Sequence, residues 1–301
     1  MRLGTRPTGQ IALADEERAT IVAGLAMFPD RCEPDRRPSP GPIRHVLRVA
    51  LTAAAFTGFF LGAAILGWVL LRLVHWGPGS LTVRQRRCQR LVRATWVVFH
   101  DYLRWVGLVN FDRRRHAFDV QAPAIIIANH PTLIDITALT VAVGPACIVA
   151  KKALFSNPLV GPLLRACGHI PVGAPGDDTT STVDQVEARL RAGHVVILFP
   201  EGTRSPVGGL GRFRLGAFEL ARRTGIPILP VRITAQPPAL WKGLPWYAIP
   251  RQTVDFRLQP LPPVTVDPSA SMAELHELTA TMKAALVGQT RPSEEQRNQR
   301  S

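Results

Sequence analysis

Two short stretches place chemically capable side chains directly after apolar runs. The first is Asn129-His130-Pro131-Thr132-Leu133-Ile134-Asp135, which follows the run Ala124 to Ala128. A carboxylate behind one imidazole nitrogen fixes the tautomer and stabilises the imidazolium, leaving the other nitrogen free to take a proton. In one regular helix His130 and Asp135 would point about 140° apart. Pro131 suits the first turn of a helix and forces His130 out of the helical region. The histidine is therefore expected at a strand-to-helix corner, folded back toward Asp135 as a general base. Taken alone, an H-x4-D spacing is more often a histidine that merely caps a helix while the aspartate binds backbone.

The second stretch is Phe199-Pro200-Glu201-Gly202-Thr203-Arg204-Ser205, at the end of the apolar run Val195 to Phe199. The carboxyl ends of strands in open α/β sheets are where ligands collect. Gly202 lets backbone approach a ligand, Thr203 adds a hydroxyl, and Arg204 offers a planar fork for phosphate or carboxylate. The plainer alternative is a charged loop in which Glu201 and Arg204 pair with each other.

The elements that must hold these stretches alternate along the chain. Strands are expected at Ala124 to Ala128, Cys147 to Ala150, Val195 to Phe199 and Ile228 to Ile233. Helices are expected at Leu133 to Val143, Val183 to Arg191 and Leu215 to Thr224, the last two stopped by Gly193 and Gly225. Such alternation argues for an α/β fold with a mostly parallel central sheet flanked by helices. Val254, Phe256 and Leu258 alternate as a half-buried strand near an edge. Ser271 and Glu274 form a capping box for a last helix carrying Leu275, Leu278, Met282 and Leu286.

An N-terminal helical segment precedes this domain. Val49 to Leu71 contains no charged residue, and Arg48 and Arg72 bracket it. At about 1.5 Å per residue the run can cross about 30 Å of hydrocarbon. A buried core helix is the competing reading, and Gly58, Gly62 and Gly67 favour lipid. Arg84, Arg86, Arg87, Arg90 and Arg93 crowd the C-terminal flank, which the positive-inside rule places in the cytoplasm. Arg84 to Val106 reads as an amphipathic helix with an apolar stripe (Cys88, Val92, Thr95, Phe99, Tyr102, Val106) and a basic one (Arg86, Arg90, Arg93, His100, Arg104). The basic stripe, with Trp96 and Trp105 at its margins, either lies on anionic headgroups or is the solvated face of a helix packed on the domain. The expected organisation is a loosely ordered lead-in over 1–42, membrane-attachment helices over 43–110, a catalytic domain over 111–288 and a disordered tail over 289–301.

The formal net charge of +14 requires an acidic partner: nucleic acid, anionic lipid headgroups or an acidic carrier protein. Almost all of it is arginine, a bias that a GC-rich genome also produces. No zinc-ligand spacing, aromatic-basic RNA motif or helix-turn-helix supports a nucleic-acid partner. Cys32, Cys88, Cys147 and Cys167 form no C-x-x-C pair and read as reduced thiols. The remaining histidines show no paired metal-ligand spacing, so no metal or other cofactor is expected.

The two stretches, whose first residues stand 70 positions apart, resemble the first and third motifs of the lysophospholipid acyltransferase family, typified in bacteria by 1-acyl-glycerol-3-phosphate acyltransferase. The resemblance covers about residues 95–260, including Phe213, Gly216 and Ala217 and, as the fourth motif, Pro227-Ile228-Leu229-Pro230-Val231. It implies that His130 deprotonates an acceptor hydroxyl that attacks an acyl thioester, acyl-ACP or acyl-CoA, while Asp135 orients the histidine. It further implies that Glu201, Gly202, Thr203 and Arg204 bind the lysophospholipid headgroup, that Asn129 and Lys151 belong to the substrate site, and that Pro230 shapes the acyl site. The family's second motif ends in an arginine, but Gly168-His169-Ile170-Pro171-Val172-Gly173-Ala174 has none. Lys151, Lys152 or Arg165 would have to substitute. In this respect the chain resembles the branch acting on specialised lipids, so the alternative acceptor is lyso-ornithine lipid or another lipid alcohol. A membrane-bound thioesterase is the remaining enzyme alternative, and the chain has no G-x-S-x-G elbow. An inactive scaffold would lack the base or its partner, and both are here. The implied location is the bacterial inner membrane, with the catalytic domain on its cytoplasmic face.

Overall fold

A computed structural model describes residues 41–112, 118–173, 180–206, 209–245 and 247–287. The expected tail at 289–301 and all but the last two residues of the lead-in at 1–42 lie outside the described residues. The strands are β1 (Val109–Asn110), β2 (Ala124–Ala128), β3 (Cys147–Lys151), β4 (Ile170–Val172), β5 (Val195–Leu198), β6 (Ile228–Gln236) and β7 (Val254–Pro260). They form one sheet in the order β1-β7-β6-β2-β5-β3-β4. From β6 to β4 the pairings are parallel, as expected from the alternating pattern. The sheet is nevertheless mixed: β7 runs antiparallel to β6, with Ile233 opposite Leu258, and β1 runs parallel to β7.

Residue type explains the central strand. All five residues of β2 are buried. Ala124, Ile126 and Ala128 face one core while Ile125 and Ile127 face the other, because side chains alternate across a strand. A sheet covered on both faces needs this continuous apolar run. The first face is covered by α1 (Pro42–Trp76), α2 (Leu81–Trp105) and α3 (Asp135–Val143), contributing Leu71, Val92, Leu103 and Leu139. Two short helices follow β3, α4 (Lys152–Phe155) and α5 (Gly161–Ala166). The second face is covered by α6 (Thr180–Arg191), α7 (Gly216–Thr224) and α8 (Met272–Val287), contributing Leu190, Phe218 and Met282. The capping box of α8 is formed: the Ser271 amide donates to Glu274 Oε2 at 2.6 Å, and the Glu274 amide donates to Ser271 Oγ at 3.3 Å.

The long apolar helix is more than an appendage. α1 is long and apolar enough to cross a membrane, but one side of it packs along the domain. Phe56 and Phe59 meet Phe99 of α2, and the Tyr102 hydroxyl donates to Leu51 O. At its other end Trp68 Nε1 donates to Pro158 O. A π-helical turn at Leu66–Leu70 adjusts this contact. There Gly67 touches α5 so closely that a Cβ would lie 2.8 Å from the Leu163 amide nitrogen. The opposite side of α1 exposes Ile43, Val46, Leu61, Ile65, Val69 and Leu73.

The basic stripe of α2 is corrected by its contacts. Arg86 donates to Gly193 O beyond the end of α6, and Arg93 donates to Val141 O in the last turn of α3. Both guanidinium groups satisfy carbonyls that a helix end leaves open, where a cation also opposes the helix dipole. His100 and Trp96 are buried, whereas Trp105 is exposed. Arg90 and Arg104 stay exposed, so the stripe is part packing face and part solvated.

Candidate active site

His130 follows β2, and the helix expected to begin near it starts only at Asp135. Residues 131–134 form a non-helical corner, and Pro131 belongs to that corner rather than to a first helical turn. Asp135 holds the corner in place. Its Oδ2 accepts from His130 Nδ1 at 2.7 Å and from the Thr132 amide at 2.7 Å, and its Oδ1 accepts from the Thr132 hydroxyl at 2.5 Å. With its carboxyl ionised Asp135 can only accept, which puts the imidazole proton on Nδ1 and leaves Nε2 free to accept one. Asp135 is fully buried, and burial pushes its carboxyl above the usual range; hydrogen bonds and charge from His130 and hydrogen bonds from Thr132 oppose that shift. His130 keeps 20% of its side chain exposed and stacks on Phe199, with ring centroids 4.2 Å apart.

The second stretch meets the first through backbone. Ser205 N donates to His130 O at 2.7 Å, and the His130 amide donates to Glu201 Oε1 and to Ser205 Oγ, each at 3.2 Å. Glu201 is buried, and its other contacts are also internal: Ser205 Oγ donates to Oε1 at 2.6 Å and the Gly211 amide to Oε2 at 2.7 Å. A carboxylate with three such donors holds the loop and the histidine together. It does not pair with Arg204, whose Nη1 donates to Leu240 O at 3.2 Å. Asn129 is also spent internally: its side chain donates to Ile233 O and accepts from Ile233 N, which locks the end of β2 to β6.

Around His130 lies a cleft of about 1260 Å³ at the carboxyl ends of β3, β4 and β5, larger than the usual site for a drug-sized molecule. Part of its wall is apolar, with Val149, Val183, Val186, Leu198 and Leu220. Five cations line it: Lys151, Lys152, Arg204, Arg214 and Lys242. Gly202, Thr203 and Glu201 also border it, whereas Asn129 and Pro230 do not. Pro230 sits within β6 opposite Ile127, and its carbonyl accepts from Leu261 N. Arg165 lies elsewhere, in a smaller hollow beside Arg72, His75 and Trp76, so it is no substitute cation for the cleft. Arg214 and Lys242 are the cations that motif reading passed over. Arg214 stands between Phe213 and Gly216, both recognised, while Lys242 sits in a loop with no pattern to mark it. Among the described residues no group of His, Cys, Asp or Glu is arranged to hold a metal.

A buried aspartate behind a histidine, at the mouth of an apolar and cationic cleft on an open α/β sheet, defines a class of group-transfer site. Residues 103–234 match the family model described as Acyltransferase. It is 29% identical over 180 residues to a 1-acyl-sn-glycerol-3-phosphate acyltransferase of Pseudomonas aeruginosa, covering 56% of this chain and 70% of that one. It is 36% identical over 114 residues to the enzyme of that name from Salmonella typhimurium, covering 37% and 46%. With a chloroplastic 1-acyl-sn-glycerol-3-phosphate acyltransferase of Arabidopsis thaliana it shares 30% over 128 residues, 42% of this chain and 35% of the relative. The chain thus spans a third to a half of the length of several curated relatives it matches. The crystal structure of the 1-acyl-sn-glycerophosphate acyltransferase of Thermotoga maritima superposes with a TM-score of 0.59 at 22% identity, covering 83% of this chain and 98% of that one, which shows the shared fold.

Proposed function

We propose that this protein is an O-acyltransferase that moves a fatty acyl group from acyl-ACP or acyl-CoA to the free hydroxyl of a lysophospholipid. The preferred acceptor is 1-acyl-sn-glycerol-3-phosphate and the product phosphatidic acid. The observation that carries this reading is the 2.7 Å bond between His130 Nδ1 and Asp135 Oδ2 at the edge of a cleft with apolar and cationic walls. His130 Nε2 takes the hydroxyl proton as the acceptor oxygen bonds to the thioester carbonyl carbon. The C–S bond then breaks, and the departing thiolate recovers a proton from the imidazolium. Asp135 stabilises that imidazolium, and general-base catalysis of this kind contributes about 10² to 10⁴ in rate.

The apolar wall suits an acyl chain, and the cations suit the phosphates of acceptor or donor. Gly202, Thr203 and Arg204 border the headgroup end, with Lys151 across the cleft; Glu201 supports them from behind. The exposed apolar side of α1 would attach the protein to the inner membrane, with the cleft on the cytoplasmic face. No cofactor is required by this chemistry. The test is acyl transfer by purified protein with one acyl carrier and four acceptors: lysophosphatidic acid, another lysophospholipid, lyso-ornithine lipid and a non-phosphorylated lipid alcohol. Lysophosphatidic acid is expected to win, and His130→Ala to abolish transfer while the circular dichroism spectrum is kept. Thioester hydrolysis without transfer to any acceptor would instead favour the thioesterase, and near wild-type transfer by His130→Ala would overturn the mechanism.

A further inference from the structure

Among the cations of the cleft, Arg214 is held in an unusual way. Gly202 has φ +65°, and a Cβ built on it would lie 3.1, 3.2 and 3.2 Å from Nε, Cζ and Nη2 of Arg214. Three guanidinium atoms at nearly one distance mean that the flat face of the group rests on the glycine. The Arg214 amide donates to Pro200 O at 2.9 Å, so the backbone beneath the side chain is anchored to the same loop. Among the described residues the guanidinium has no hydrogen bond or ion pair. A guanidinium laid face-on leaves its N–H groups directed outward in the plane, and Arg214 is among the residues that line the cleft. Arg204, by comparison, already gives one donor to Leu240 O. Among the described residues the end of β4 contributes Val172 and Gly173 to the cleft, and its cations come from the loop after β5 (Arg204, Arg214), the end of β3 and start of α4 (Lys151, Lys152) and Lys242.

The geometry points to Arg214 as a specificity-determining residue that receives the phosphate monoester of the acceptor, pre-positioned by its stacking on Gly202. This rests on the acyltransferase reading and adds which side chain selects a phosphorylated acceptor. Gly202 is then required for a second reason besides its positive φ: any side chain there would displace the guanidinium. Preorganisation matters because a free arginine loses rotamer entropy on binding, and one already held loses less.

The experiment compares wild type, Arg214→Gln and Arg214→Lys, with thermal midpoints to establish folding. KM for lysophosphatidic acid should rise about 10- to 100-fold in Arg214→Gln, the loss expected for one charge-assisted contact. KM for the acyl donor should hold. Arg214→Lys should recover only part of the loss, because an ammonium lacks the planar fork. Direct calorimetric binding of a lysophosphatidic acid analogue lacking the acceptor hydroxyl reads the same contact without turnover. If wild type binds this analogue but transfers no acyl group, the acyltransferase reading fails while the phosphate site stands. Unchanged analogue affinity in a folded Arg214→Gln, or a rise confined to donor KM, overturns the proposal.

Discussion

Glu201 offers the sharpest test of what the loop after β5 does. The family resemblance assigns it to the acceptor headgroup, but its carboxylate accepts from Ser205 Oγ, the His130 amide and the Gly211 amide. Glu201→Gln keeps the shape and turns one oxygen into a donor that must face a donor. Hydrogen bonds to a charged group contribute about 1.5 to 3 kcal/mol each, so losing one and opposing another costs about 2 to 4 kcal/mol. For a domain of this size that is a fall of about 5 to 15 °C in thermal midpoint. The His130 amide keeps Ser205 Oγ but loses the carboxylate it shares with it, and a displacement of about 1 Å at a group proposed to react costs on the order of 10² in rate. The expected result is a lower midpoint and a lower kcat, with acceptor KM within about threefold, by differential scanning fluorimetry and steady-state kinetics. A wild-type midpoint with kcat retained and acceptor KM raised tenfold would refute the reasoning and return Glu201 to the substrate.

Two further outcomes follow from buried histidines and from α1. Burial pushes His100 down to about 4 and His169 down to about 3 from 6.5. In the native fold the Ile148 amide donates to His169 Nδ1, and protonation would break that bond. Because the unfolded chain binds more protons below 6.5, stability is full above that pH and falls as pH drops toward 4. The two together cost about 4 kcal/mol at pH 5. Urea midpoints should therefore fall between pH 7.5 and 5, with a shallower fall in His100→Gln; equal slopes for both proteins would contradict the account. On the exposed side of α1, Leu61→Glu with Ile65→Glu adds about 2.5 to 3.5 kcal/mol per charge to lipid insertion. The double variant should leave the membrane pellet in flotation assays with helicity retained, and full retention in the pellet would remove that face as the attachment surface.

The central strands were readable because β2 and β5 are short apolar runs closed by proline and asparagine, and the dyad was readable because Pro131 breaks the helical spacing between His130 and Asp135. Other features depend on distant partners. The reversed direction of β7 is set by how residues 237–253 return to β6, which no local pattern encodes. Arg86 and Arg93 look like a solvated stripe until helix ends from α6 and α3 arrive to receive them. Gly67 suggested tolerance of lipid, but the contact that demands a glycine comes from Leu163 of α5. Glu201 and Asn129 look free in a motif because backbone partners leave no mark in side-chain identity. Arg214 went unnoticed for the same reason: its place over Gly202 is a tertiary fact.

The clasp between Asn129 and Ile233 joins residues 104 positions apart. It has a consequence for when the protein first becomes competent. During synthesis both signature stretches have been made once Ser205 is added, yet the end of β2 is unfastened until β6 follows and pairs. At about 5 to 20 residues per second that interval lasts seconds. A nascent chain halted before Ile233 would carry the complete His-Asp dyad in sequence while Asn129, the residue before the histidine, lacked its β6 partner. Under the proposed mechanism, the strand end that carries the base would gain its last fastening only late in translation, when β6 has emerged.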